Sequence, residues 1–107
     1  MMLLIEDNVM FSLPIVELAK AHGMTAEAVG SLDQARAKLA EASITHVLLN
    51  MHLATPEFLR EMPSQTRVAA YGPHVEGARF LEFRKLGIRD VWPNSKLREK
   101  LPEWLSR

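Results

Sequence analysis

Five short apolar runs, each followed by a segment with helical periodicity, place the strongest constraint on how this chain of 107 residues folds. A run that is apolar without alternation is typical of a strand buried on both faces of a parallel sheet. Strands that alternate with helices need right-handed crossovers that return the chain to one sheet. The pattern predicts an α/β fold with a doubly wound, five-stranded parallel sheet in the order 2-1-3-4-5, a flavodoxin-like three-layer sandwich. The five predicted strands are Met1–Ile5, Met24–Val29, Ile44–Leu49, Val68–Tyr71 and Ile88–Trp92.

Capping residues mark where the intervening helices begin. Ser31 and Gln34 have the spacing of a capping box. The first helix has two alternative starts: Ser12 as N-cap places Pro14 in the first turn, whereas Asn8 as N-cap places Pro14 inside the helix and forces a kink. The later helices are predicted at Pro56–Met62, Val75–Leu86 and Lys96–Leu105.

Composition excludes several classes of function. Thirteen Lys and Arg balance thirteen Asp and Glu, so the chain has no general attraction for nucleic-acid phosphates. The absence of cysteine excludes disulfides, thiolate metal sites and thiol catalysis. No apolar run approaches the ~20 residues of a membrane span. The sequence therefore predicts a single soluble domain over residues 1–107, in the cytoplasm, without nucleic-acid or membrane partners.

Polar residues follow the predicted strands. In an open parallel sheet, functional groups gather at the carboxyl ends of the strands, near the point where strand order switches. That switch lies between the first and third strands. The residues expected to face one shallow pocket there are Glu6, Asp7, Asn50, His52, His74, Asn94 and Lys96.

These strand ends carry a family resemblance. Leu3–Asn8 is similar to the first strand of a response-regulator receiver domain, with its acidic pair. Val47–Met51 resembles the third strand, which in that family normally ends in a phospho-accepting aspartate. Arg89–Asn94 resembles the fifth strand, which normally ends in lysine. The resemblance covers nearly the whole chain and implies a receiver-like sandwich with a role in a two-component system or phosphorelay.

The sequence departs from that family at the residues that handle phosphate. Glu6 and Asp7 retain the acidic pair, but Asn50 stands at the acceptor position, and an amide is a poor nucleophile. Gly72 stands where the family has a serine or threonine, and Asn94 where it has lysine. The departures predict a stand-alone pseudo-receiver that is not an enzyme, has no catalytic residues, and acts by protein–protein interaction independently of phosphorylation.

Two alternatives remain open from the residues. Glu6 and Asp7 are either weak Mg²⁺ ligands, with no other cofactor expected, or only caps of strand and helix ends. The rival function is a genuine phosphoaccepting response regulator, or a small metal-dependent enzyme that uses Glu6, Asp7, His52 and His74.

The expected contact face lies on the fourth helix, the fifth strand and the last helix, the elements that the resemblance implies for partner or dimer contacts. Leu81, Val91, Trp92, Leu101 and Trp104 supply more apolar side chains than one inward stripe was expected to absorb. The sequence thus predicts a protein partner or a homodimer held by these residues. The alternative is that Trp104 only covers the edge of the core.

Overall fold

The computed structural model describes residues 1–107 and contains five parallel strands that alternate with five α-helices. The strand order is β2-β1-β3-β4-β5, which confirms the predicted topology. The strand boundaries lie within two residues of those expected. The strands are β1 (Met2–Ile5), β2 (Ala26–Val29), β3 (His46–Asn50), β4 (Arg67–Gly72) and β5 (Asp90–Pro93). The helices are α1 (Val9–Ala21), α2 (Leu32–Glu41), α3 (Pro56–Arg60), α4 (Gly77–Lys85) and α5 (Leu97–Ser106), with a 3₁₀ turn at Asn94–Lys96.

The sheet has an apolar core on each face because successive side chains of a strand point to opposite sides. Met2 and Leu4 of β1 face α1 and α5, together with Trp104. Leu3 and Ile5 face the other layer, which α2, α3 and α4 form. All four residues of β1 are fully buried, as the unbroken apolar run predicts. None of the five α-helices has the length and apolar character that a membrane span requires.

The first helix begins at the earlier of its two alternative starts. The Asn8 side chain accepts hydrogen bonds from the backbone N–H groups of Met10 and Phe11, at 3.0 and 3.3 Å. Ser12 is instead buried inside the helix, where its hydroxyl donates to the Val9 carbonyl. Pro14 lies in the helix interior and has no N–H to donate. The Asn8 cap has the further effect of placing the first turn of α1 beside the carboxyl end of β1.

Two glycines end helices in the way that their positions in the sequence predict. Gly23 follows α1 and Gly87 follows α4, with φ of +82° and +95°. A side chain is strained in this left-handed region, so glycine is the favoured residue after each C-cap.

Candidate functional site

The carboxyl ends of β1, β3 and β4 enclose a cavity of about 190 Å³, as the topology requires. Four of the seven residues that the sequence placed at this edge line the cavity: Glu6, Asn50, His52 and Asn94. Asp7, His74 and Lys96, also expected there, do not line it. The lining residues are Glu6, Asn8, Phe11, Asn50, His52, Tyr71, Gly72, Pro73 and Asn94.

Glu6 is the centre of the site and is 6% exposed. Its Oε1 accepts a hydrogen bond from the Tyr71 hydroxyl at 2.6 Å and another from Asn50 Nδ2 at 3.1 Å. Its Oε2 accepts from the backbone N–H of Asn8 at 3.0 Å. Donors from three segments therefore hold this carboxylate, as a buried charge requires. We refer to the contacts among Glu6, Asn50 and Tyr71 as the carboxylate bridge.

Tyr71 is the member of the bridge that sequence reasoning missed. It ends the apolar run of β4 and was taken only as part of the strand. Burial raises the pKa of the Tyr71 phenol far above its ordinary value of 10.0, and the hydrogen bond to the Glu6 carboxylate raises it further. Phe11 of α1 stacks on the phenol ring, with the ring centroids 5.4 Å apart. Tyr71 is therefore a neutral hydrogen-bond donor, held between α1 and β1.

Asn50 takes part in the bridge at both ends of its amide. The NH₂ group donates to Glu6, and Oδ1 accepts from the backbone N–H of His52 at 2.9 Å. These contacts satisfy the side chain at the end of β3. Its place in the structure is that of a structural link, with no group that can attack phosphorus.

The space beside Gly72 is occupied by the side chain of Met51. A Cβ placed on Gly72 would lie 2.3 Å from Cε of Met51, which is fully buried. A serine or threonine at this position therefore requires the Met51 thioether to move. The contacting atom is the terminal methyl group of a flexible side chain, so this shift costs little.

Neither Asn94 nor Lys96 supplies a free cation to the cavity. Asn94 lines the cavity with an amide. The Lys96 ammonium contacts the Glu99 carboxylate at 3.3 Å, within the start of α5. Lys96, the one cation expected at this edge, is thus paired with Glu99. The carboxylate of Glu6 lines the cavity itself.

The residues present do not fit Mg²⁺. Mg²⁺ prefers carboxylate oxygens and water in octahedral order. Both oxygens of Glu6 already accept hydrogen bonds, and Asn50 directs its N–H toward them. Asp7 is exposed and does not line the cavity. No cluster of three or more His, Asp and Glu side chains is arranged to hold a metal ion.

Of the two histidines of the rival enzyme hypothesis, His52 lines the cavity with Glu6, and His74 does not. His52 Nε2 lies 3.1 Å from a carboxylate oxygen of Glu76, at the start of α4. His74 is exposed in the turn after β4. The set proposed for a metal-dependent enzyme is therefore divided: Glu6 and His52 line the cavity, and Asp7 and His74 do not.

The expected contact face is corrected by the structure, because four of its five residues are buried. Val91 and Trp92 of β5 pack into opposite cores, and Leu101 and Trp104 are 0% and 1% exposed. The reason is spacing: the apolar residues of α5 fall at i, i+4, i+7 and i+8, which is one inward stripe and leaves no surplus. Only Leu81, 58% exposed, lies at the surface. The buried apolar residues of α5 are Leu97, Leu101, Trp104 and Leu105.

A different apolar surface lies on the first turns of α1. Val9, Met10 and Leu13 are 65%, 81% and 55% exposed. Val9 shares a face with the buried Ser12 and Val16 and is exposed because it lies in the first turn. The signal is present in the sequence, since α1 has more apolar residues than one stripe can bury. We call these three residues the α1 patch.

Comparison with known proteins gives a clear result for the fold alone. No family model matches the sequence, and no curated protein matches it. Solved structures do match. A response regulator receiver domain protein from Clostridium thermocellum gives a TM-score of 0.85 at 18% identity, over 98% of this chain and 90% of that chain.

Two further structures have the same architecture. The receiver domain of NtrX from Brucella abortus gives a TM-score of 0.82 at 16% identity, over 99% of this chain and 98% of that chain. A response regulator from Thermotoga maritima gives 0.83 at 15% identity, over 99% of this chain and 97% of that chain. The chain therefore has the fold of response-regulator receiver domains, as the resemblance of its strand ends implies.

Proposed function

We propose that this protein is a receiver-fold signalling module of a two-component or related pathway that acts in the cytoplasm by binding another protein, without phosphorylation and without catalysis. The receiver fold supports the signalling role. One observation carries the rest: at the end of β3 an amide stands in the acceptor place and is fully engaged between Glu6 and the backbone of His52. Met51 over Gly72 and the Lys96–Glu99 contact support the same conclusion.

Phosphorylation is tested by incubating the protein with acetyl phosphate and Mg²⁺ and measuring its intact mass. We expect no added phosphoryl group, because the nucleophile, the hydroxyl and the paired ammonium are all missing. The Asn50→Asp variant also stays unmodified, since Gly72 and Asn94 are unchanged in it. A receiver domain with an intact acceptor, treated in parallel, shows that the reagent is active. A phosphoryl group on the wild-type chain contradicts the proposal.

The α1 patch is the surface we propose for the partner. Contiguous exposed apolar side chains are characteristic of protein contacts, and truncation of one anchor typically weakens binding by about 2 kcal/mol or more. A homodimer through α4 is less well supported, because Leu81 is the only exposed member of the expected set. A heterologous protein that covers Val9, Met10 and Leu13 fits the exposed surface better.

The partner is sought by affinity capture from the native host, with the wild type and two matched variants. Leu13→Glu places a charge in the α1 patch, and Leu81→Glu makes the same change at an exposed leucine of α4. We expect a protein that is retained by the wild type and by Leu81→Glu but lost by Leu13→Glu. A partner that Leu81→Glu loses and Leu13→Glu retains assigns the contact to α4 instead.

A further inference from the structure

The carboxylate bridge joins three strands whose residues are far apart along the chain. Asn50 is 44 residues from Glu6, and Tyr71 is 65 residues from it. Both donors reach the same oxygen, Oε1, at hydrogen-bond distance. The bridge therefore gathers the carboxyl ends of β1, β3 and β4 around one buried negative charge.

A buried carboxylate needs a compensating positive charge or several donors. In a cation site, that compensation is a divalent ion held by carboxylates and water. Here it comes from a phenol O–H at 2.6 Å, an amide N–H at 3.1 Å and a backbone N–H at 3.0 Å. The backbone N–H of Asn8 is provided by the α1 cap, whereas the phenol and the amide belong to this particular sequence.

We propose that Tyr71 and Asn50 take the place of a divalent cation, so that the carboxyl edge of the sheet is held together by the chain's own hydrogen bonds and is independent of metal. The two donors form hydrogen bonds to the Glu6 carboxylate. Phe11 of α1 stacks on the Tyr71 ring and holds it in place. The exclusion of metal is thus an active feature of the packing. It holds whether or not a protein partner covers the α1 patch.

The proposal predicts that a cation site opens when both donors are removed. Tyr71→Phe keeps the ring and its contact with Phe11 but removes the hydroxyl. Asn50→Asp replaces the amide by a carboxylate, which adds to Glu6 a second carboxylate of the kind that Mg²⁺ and Mn²⁺ bind. Neither change alone is sufficient, because one side-chain donor to Glu6 remains in each single variant.

The experiment is a titration of each variant with MnCl₂, followed by calorimetry and by the melting temperature. We expect the double variant Tyr71→Phe/Asn50→Asp to bind Mn²⁺ at least about tenfold more tightly than the wild type and either single variant. Asn94→Asp is the matched control: it adds a carboxylate to the lining of the same cavity and leaves the bridge intact. This control is expected to bind no more tightly than the wild type.

Three results overturn the proposal. The first is Mn²⁺ binding by the wild type at sub-millimolar concentration. The second is a folded double variant that binds Mn²⁺ no more tightly than the wild type. The third is an Asn94→Asp variant that binds Mn²⁺ as tightly as the double variant.

If the double variant does not fold, proton NMR of the wild type tests the proposal instead. The single tyrosine of the chain is expected to give a slowly exchanging hydroxyl proton that millimolar Mg²⁺ does not affect. A rapidly exchanging hydroxyl, or one displaced by Mg²⁺, excludes the bridge.

Discussion

The helices α1 and α5 cover the same face of the sheet and use their apolar residues in opposite ways. On α5 the apolar residues form one stripe, and all of them are buried. On α1 the residues that contact the core begin at Phe11 and Ser12, while the α1 patch in the first turns is exposed. The difference teaches that the number of apolar residues on a helix does not identify a contact face. What decides it is whether those residues fall on the arc that faces the sheet.

Trp104 gives the largest expected effect, because it is the largest fully buried side chain of α5. It packs edge-to-face against Trp92 at 5.8 Å and against His46 at 4.9 Å. Trp104→Ala is expected to lower the free energy of unfolding by about 3–5 kcal/mol, of a total of about 5–15 kcal/mol for a domain. Urea denaturation followed by circular dichroism measures this. A loss below about 1 kcal/mol would place Trp104 at the surface, as the contact-face hypothesis required.

Asn8 tests the start of α1, on which the position of the α1 patch depends. Its side chain caps two backbone N–H groups of the first turn. Asn8→Ala is expected to cost about 1 kcal/mol, whereas Asn8→Ser, which keeps a capping oxygen, costs less. The same urea titration measures both variants. Equal stability of the three proteins would mean that Ser12 is the effective cap and that the first turn of α1 is not helical.

His46 tests the packing of α5 from the sheet side. Burial lowers its pKa below the ordinary value of 6.5, and the positive charges of Arg67 and of the N-terminus lower it further. As the pH falls below 6.5, His46 is therefore protonated in the unfolded chain at a higher pH than in the folded chain. The stability linked to neutral His46 is complete above pH 6.5 and is lost as the pH falls toward the folded-state pKa.

The measurement is the free energy of unfolding between neutral and mildly acidic pH for the wild type and for His46→Phe. The variant keeps an aromatic ring against Trp104 and removes the titrating group, so its stability is expected to fall less on acidification. His22→Phe, which makes the same change at an exposed histidine, is the matched control. An unchanged slope in His46→Phe would show that other groups cause the pH dependence.

The smallest effect on stability is expected in the α1 patch. Leu13→Ser removes an apolar side chain that is more than half exposed, so the free energy of unfolding changes by no more than about 0.5 kcal/mol. Leu81→Glu is expected to change the free energy of unfolding by equally little. Sedimentation is expected to show the same oligomeric state for this variant and the wild type. Loss of more than about 2 kcal/mol in Leu13→Ser would mean that the side chain is buried and that the contrast between α1 and α5 is incorrect.

The order of the elements could be predicted because it depends on local pattern. Unbroken apolar runs specify strands buried on both faces, and glycines specify helix ends. The capping box is also confirmed: Gln34 N–H donates to the Ser31 hydroxyl at 3.2 Å, although the Gln34 side chain accepts from the N–H of Gly30 instead of the N-cap itself. Topology then placed Glu6, Asn50 and Asn94 at one edge of the sheet.

Three features were decided only by the tertiary structure. The contact between Tyr71 and Glu6 joins residues that no periodicity relates, because it depends on the register of β4 against β3 and on the position of α1. The spacing of α5 puts Trp104 on one apolar stripe, but its edge-to-face packing against His46 and Trp92 exists only in the folded chain. The occupation of the Gly72 position by Met51 depends on packing across the sheet end. Sequence patterns specify which residues share a face, but only the folded chain determines which faces meet and which remain in water.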